Sequence, residues 1–286
     1  MKKIYFIPKK LYQIKYSFFK KSERFQEGGL VIKKKFYKLN KYPKISIITV
    51  VFNNQKHIQK TFNSIFSQTY KNFELIVIDG ASTDNTLNII KKNENKIHYW
   101  MSEKDNGIYD AFNKGLCLAS GDFIGFVNSD DILMPNALEI LKQYINQNPN
   151  IDFFFGAVKK HWGILHGYKP WKIKFSWGFY SSHSTGFYIK RSSAKKVGFY
   201  NIKYKYSADY DYLYRMIVKH KMLGKASKKS ELFGIFNRGG FSSKISFSNH
   251  FKEEIQIRKD NNQSTILIQF LKLYKTIRHF KKLYLK

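Results

Sequence analysis

The chain is 286 residues long, carries a formal net charge of +31 and is 43% hydrophobic, with 26 Phe and 20 Tyr. That is enough apolar material for one large domain or two modest ones. No stretch approaches the roughly 18 uninterrupted apolar residues of a spanning helix, and the single cysteine, Cys117, excludes an intrachain disulfide and fits a reducing cytoplasm.

In chain order, residues 1–43 form a basic extension. The amino terminus starts like a signal peptide, but its apolar segment is short, charge resumes at Lys9 and no small-residue cleavage site follows. Residues 1–44 hold 14 Lys or Arg against Glu23 and Glu27, a net of +12. Charge of this density attracts anionic partners: nucleic acid, phospholipid headgroups or phosphorylated substrates. From residue 44 the pattern alternates. Ile45 to Val51 is β-branched and continuous, as for a strand buried on both faces. Ile58, Phe62, Ile65 and Phe66 recur at helical spacing. Phe73 to Ile78 is the next strand, and Thr83-Asp84 supplies cap chemistry for a helix through Leu87, Ile89 and Ile90. Ile97 to Met101 reads as a strand, Ile108 to Ala119 as a helix closed by Gly121, and Phe123 to Val127 as a buried strand. Asp152 to Val158 reads as one further strand and 207–220 as a helix; the aromatic, glycine-containing span 161–188 suits a pocket wall or loop. This alternation predicts an α/β fold: a mostly parallel, twisted sheet flanked by helices, in a single domain over 44–250 with basic terminal extensions.

The segment 251–286 ends in a helical pattern. Ile266, Phe270, Leu273, Ile277, Phe280 and Tyr284 recur every three or four residues, with Lys272, Lys275, Arg278, Lys281, Lys282 and Lys286 between them and no acid. Two readings stand side by side: a helix lying in a membrane interface, and a terminal helix packed on the domain with a solvated basic face.

No dinucleotide-binding glycine motif, phosphate-binding loop, zinc spacing or Gly-x-Ser-x-Gly elbow is present. Polar residues remain at successive strand ends: Asn53, Asp79 with Asp84, Glu103 with Asp105, and Asp130 with Asp131. Strand ends on one edge of a parallel sheet converge, so these acids can line one crevice. Paired carboxylates in so basic a chain suggest a site for Mg²⁺ or Mn²⁺ completed by substrate phosphates. The competing reading is that Asp130 or Asp131 caps a helix beginning near Pro135.

Seven blocks in order then resemble a family 2 glycosyltransferase of the GT-A fold. They are Ile45 to Asn53, Asp79 to Thr86, Ser102 to Gly115, Asn128-Ser129-Asp130-Asp131, His183 to Phe187, Ser207 to Asp211, and Gly239-Gly240-Phe241-Ser242. The resemblance implies a nucleotide-diphosphate sugar as donor and a divalent cation, Mg²⁺ or Mn²⁺. Val51, Asn53 and Asp79 would bind base and ribose, and Asp110 and Asn113 would border the nucleotide. Asp131 would be the direct metal ligand, with Asp130 beside it and nearer the ribose. Asp209 matches the catalytic base, and His183 and Arg238-Gly239-Gly240 would lie on the acceptor or diphosphate side. A base and a metal suffice for one displacement with inversion. Asp209 and Asp211, two residues apart, cannot share a helix face, so only one should point into the site.

Some blocks depart from the family pattern. Val50-Val51 stands where relatives have Pro-Thr, and Asn128 where many have Asp. No Gln-x-x-Arg-Trp motif occurs, so the expectation is one sugar per encounter rather than processive synthesis. The acceptor expected is a lipid-linked or oligosaccharide glycan. The protein is expected in the cytoplasm, peripheral on an anionic inner membrane face held by its basic ends. A nucleotidyltransferase would also want paired carboxylates and a metal. A nucleic-acid-binding protein would use the charge and aromatics, but no recognised binding module is present and no specific nucleic acid is expected.

Overall fold

The computed structural model describes residues 25–33, 43–175, 184–237 and 246–280. Its centre is four parallel strands: β4 (Tyr99–Ser102), β3 (Phe73–Asp79), β2 (Ile45–Val51) and β5 (Phe123–Phe126), adjacent in that order. β2 and β3 are buried along their whole lengths, as their unbroken apolar runs require. Odd positions of β2 (Ile45, Ile47, Val51) enter one core and even positions (Ile48, Val50) the other. Helices cover both faces. α1 (Ile58–Phe66) and α4 (Ala137–Gln147) supply Phe62, Ile65, Leu138 and Leu141 to the first core; α3 (Ile108–Leu118) supplies Phe112 and Leu116 to the second. α3 sits close to the sheet at Gly115, where a Cβ would lie 2.4 Å from Ile48 Cγ2.

The buried ends of these strands carry polar residues that are fully answered. Glu74 on β3 accepts from Ser46 Oγ (2.5 Å), Ser120 N (2.7 Å) and Lys44 Nζ (2.5 Å). Burial pushes its carboxyl up, but Lys44 and these hydrogen bonds outweigh burial and leave it below its ordinary value.

The large sheet is parallel at its centre, as expected, and takes antiparallel pairings toward its two sides. β1 (Gln26–Gly28) pairs antiparallel with β4 at one edge. Beyond β5, β10 (Phe187–Lys190) runs antiparallel to both β5 and β7 (Phe153–Phe155), and β11 (Gly224–Ala226) closes the other edge parallel to β7. The edge strand β1 comes from the expected amino-terminal extension. The strand expected over 152–158 is split at Gly156: β7 stays in the large sheet, while β8 (Ala157–Lys160) joins a second sheet ordered β6 (Ile132–Leu133), β12 (Leu232–Ile235), β8 and β9 (Gly163–Leu165). The physical reason is Phe233, whose side-chain carbons lie 2.1–2.6 Å from where a Gly156 Cβ would stand. A residue without a side chain lets one extended run turn from one sheet into the other.

The helix expected over 207–220 is α7 (Ala208–Tyr214) continued by a π-helical turn, Arg215–Lys219. The carboxy-terminal pattern resolves into α8 (Phe247–Asp260) and α9 (Thr265–Arg278), so the expected boundary at 250/251 falls inside a helix. α9 uses both faces. Ile268, Leu271 and Lys275 are buried, the last paired with Glu254 on α8, while Ile266, Phe270, Leu273, Ile277 and Phe280 form an exposed stripe on the other side. Among the described residues no helix is long and apolar enough to cross a membrane.

Candidate active site

β2 lies between β3, entered by a crossover to one side, and β5, entered to the other; the crevice at their carboxyl ends is the topological switch point of this sheet. Val51, Asp79 and Ser102 stand in register across that edge. Asp79 is fully buried and accepts from Ser102 Oγ (2.5 Å), Ser82 Oγ (2.5 Å) and Ser82 N (3.1 Å). Asn53 follows β2 in the left-handed region, with φ of 47°, a conformation Asn tolerates. Its Oδ1 accepts from Thr83 N (2.7 Å) and its backbone N–H donates to Ser82 Oγ (2.8 Å), which ties the loop after β2 to the loop after β3. Asp84 accepts from Thr86 N (2.9 Å) at the start of α2 (Thr86–Lys92), whose cap position is Asn85.

α3 enters the crevice with two faces. Asp110 accepts from Asn106 N (2.9 Å) and lies 4.0 Å from Lys114, which pairs with Glu103 at 2.7 Å. Burial pushes the Glu103 and Asp105 carboxyls up. Asn113 faces elsewhere: its Nδ2 donates to Tyr200 O (2.9 Å) and its Oδ1 accepts from Tyr200 N (2.8 Å). Both amide atoms of Asn113 are thus engaged by one backbone segment, a bracket inside the domain.

Asn128-Ser129-Asp130-Asp131 follows β5 as a turn in which Asp131 N donates to Asn128 O (3.0 Å). Three elements pin it. Asn54 Nδ2 donates to Ser129 Oγ (2.8 Å), Asn128 Nδ2 to Ser184 Oγ (3.0 Å), and Asn237 Nδ2 to Asp130 O (2.6 Å). Asp131 is fully buried and its Oδ2 accepts from Thr185 Oγ1 (2.6 Å). Burial, then the neighbouring Asp130, push its carboxyl up to about 8. Neither aspartate caps α4: β6 intervenes, and the cap position is Asn136. The helix-cap reading is thus corrected by an intervening strand.

A fully buried carboxylate and a half-buried neighbour, both with their ionised forms disfavoured by burial, suit a hard divalent cation, and oxygen is the donor type such a cation takes. Among the described residues no group of three or more His, Cys, Asp and Glu forms a metal cage. This set therefore fits a cation whose other ligands come from a diphosphate and water.

α7 brings the remaining acid. Asp209, in its first turn, accepts from Tyr210 N (2.9 Å) and from the Tyr109 hydroxyl (3.2 Å). Asp211 is turned away, accepting from Arg215 Nε (2.9 Å) and Asn261 Nδ2 (2.9 Å), as the two-residue spacing requires. Lys160, at the end of β8, joins the two acidic groups. Its ammonium lies 4.7 Å over the Phe236 ring and feels both Asp131 and Asp209, while burial pulls its pKa below the ordinary value.

Glycosyl transferase family 2 is the family whose pattern matches residues 46–207. The chain belongs to that family. An uncharacterized glycosyltransferase of Mycobacterium tuberculosis is 30% identical over 185 residues, covering 60% of this glycosyltransferase and 68% of the relative. The UDP-Glc:alpha-D-GlcNAc-diphosphoundecaprenol beta-1,3-glucosyltransferase WfgD of Escherichia coli is 37% identical over 113 residues, 39% of this chain and 44% of that one. The fold is similar to that of Staphylococcus aureus TarS residues 1–349 in complex with UDP-GlcNAc, with a TM-score of 0.63 at 20% identity over 83% of this chain and 73% of that one. Against the longer TarS structure the chain spans 43% of the length.

Three residues of the glycosyltransferase site carried no role in the sequence. Thr185 lay inside a motif block, Tyr109 one position before Asp110, and Lys160 in a pair of lysines indistinguishable from the basic surface. Only contacts across 54 to 100 residues of chain reveal the first two. His183, Arg238, Gly239, Gly240, Phe241 and Ser242 lie outside the described residues.

Proposed function

We propose that this glycosyltransferase moves one sugar from a nucleotide-diphosphate sugar to a hydroxyl of a lipid-linked glycan, by a single displacement with inversion assisted by a divalent cation. The observation that carries it is that α3, which enters the crevice at the strand ends, reaches Asp209 of α7 through the Tyr109 hydroxyl (3.2 Å), while the Asp130/Asp131 turn follows β5 at the same sheet edge. Val51, Asn53, Asp79 and Asp110 form the nucleotide side at the ends of β2, β3 and the start of α3. Asp131 and Asp130 would hold the cation, whose charge offsets that developing on the leaving diphosphate. Asp209 takes the proton of the acceptor hydroxyl as its oxygen bonds the anomeric carbon. The bond from that carbon to the diphosphate oxygen breaks at the same time, its electron pair leaving with the diphosphate. Attack opposite the leaving group inverts the centre, and no protein nucleophile is required.

The acceptor class rests on the name of the E. coli relative, which acts on a diphosphoundecaprenol-linked sugar, and on α9. The exposed stripe, with Ile266 84% and Ile277 68% exposed, is flanked by Lys272 and Arg278 and suits the interface of an anionic bilayer. Both support the reading of a peripheral enzyme on a cytoplasmic membrane face. Purified protein screened by thermal shift against nucleotide-sugars, with Mg²⁺ or Mn²⁺, should respond to one donor class only when the cation is present. Equal response with a chelator contradicts the cation's role, and no response to any nucleotide-sugar contradicts the donor.

A further inference from the structure

The α3 motif Gly107-Ile108-Tyr109-Asp110-Ala111-Phe112-Asn113 divides between two jobs. Asp110 and Lys114, one turn apart, face the nucleotide side through Asn106 and Glu103. Tyr109 and Asn113, also one turn apart, face the opposite way. Asn113 brackets Tyr200 with two hydrogen bonds. The Tyr109 ring stacks on Tyr200 (centroids 5.8 Å, 21°), and Tyr200 stacks on Tyr212 of α7 (4.2 Å, 16°). Phe112 closes the group, 6.1 Å from Tyr109 and 5.5 Å from Tyr200. The column holds the Tyr109 hydroxyl where it meets α7, 3.2 Å from Asp209 Oδ1 and 3.2 Å from Tyr206 O.

We infer that Tyr109 is a positioning residue for Asp209, oriented by Asn113 through Tyr200. This rests on the reading of Asp209 as the base. A phenol has one proton to donate, and the two acceptors compete for it. An ionised carboxylate is the stronger acceptor, so the hydroxyl favours Asp209 while it awaits the acceptor's proton. Once Asp209 is protonated the Tyr206 carbonyl becomes the better partner and the hydroxyl can turn to it. The Tyr109 hydroxyl and the Tyr210 N–H both donate to Oδ1 of Asp209. Among the described residues, Lys160 from β8 and Tyr200 also feel the charge of Asp209.

The test is the pH dependence of kcat/KM for three variants of the full chain. Tyr109→Phe keeps the ring stack and loses only the donor. Its acidic limb should move to higher pH by about 1 unit, because a carboxylate without its donor is the more basic. Its plateau kcat should fall about tenfold, with donor KM within about twofold of wild type, as a loosened base predicts. Tyr210→Phe is the comparator: Tyr210 shares α7 with Asp209, but its hydroxyl donates to Ile173 O of another helix (3.1 Å), so its loss should lower the melting temperature and leave the limb in place. An unmoved limb in Tyr109→Phe, or equal shifts in both variants, overturns the inference. Asp209→Asn separates the two layers. If it stays active, the base assignment itself fails; if it is inactive while the Tyr109→Phe limb stays put, only the positioning role fails.

Discussion

At the scale of single residues, the acids at strand ends were legible in the sequence because parallel strands place their carboxyl ends together whatever the loops do. Asp79, Asp130 and Asp131 sit on that edge, and Asp84 accepts from Thr86 N at the start of α2. Thr185 and Tyr109 were not legible as partners, since their contacts join segments that only the fold brings together. Asp131→Asn should remove the charge a cation needs while keeping the Thr185 contact, and lower kcat/KM by about two orders of magnitude or more, in line with several kcal/mol of charge stabilisation. Asp130→Asn should cost less, because Asp130 is held through its backbone oxygen by Asn237 rather than buried by its side chain. Steady-state rates at saturating Mg²⁺ or Mn²⁺ compare the two; equal losses would contradict the division between them.

At the scale of elements, close contacts at glycine decide what packs. Gly115→Ala should gain about 1 kcal/mol of helix propensity. It must also fit a Cβ 2.4 Å from Ile48 Cγ2, in the middle of the β2–α3 interface. Overpacking of that kind costs about 1–3 kcal/mol, so the variant should melt at lower temperature; a rise in melting temperature would show that α3 shifts freely. The helical and strand periods of 44–127 were readable because each element is long and buried on a definite face. The break at Gly156 was not, because Phe233, the residue that enforces it, lies far downstream. The α8 end is pinned by Asp260, whose carboxyl Lys203 and Tyr204 hold down to about 2. A depressed carboxyl contributes stability above its unfolded value, and that contribution is lost as pH falls through the folded one. Urea midpoints should therefore drop between about pH 4 and pH 2, and Asp260→Asn should flatten that part of the profile. An unchanged slope in the variant would assign the acid loss to other groups.

At the scale of the whole molecule, the carboxy-terminal segment reconciles two readings of one sequence pattern. A helix apolar on two faces packs one against α8 and presents the other outward, and periodicity alone could not say which stripe did which. Flotation with vesicles containing anionic phospholipid should carry the protein upward at low salt. A paired change on the outer stripe, Phe270→Asp with Ile277→Asp, should leave it in the soluble fraction with its melting temperature unchanged, since neither side chain is in the core. Binding that survives this change would assign attachment to another surface. The central claim, however, is that one crevice joins a cation-holding turn to a base on α7. The most direct measurement is nucleoside diphosphate release from the cognate nucleotide-sugar and acceptor, comparing wild type with Asp209→Asn at matched donor occupancy. The account predicts donor binding within about twofold of wild type and a kcat lowered by about 10²–10⁴, the usual contribution of a positioned base. Undiminished sugar transfer by Asp209→Asn would contradict it.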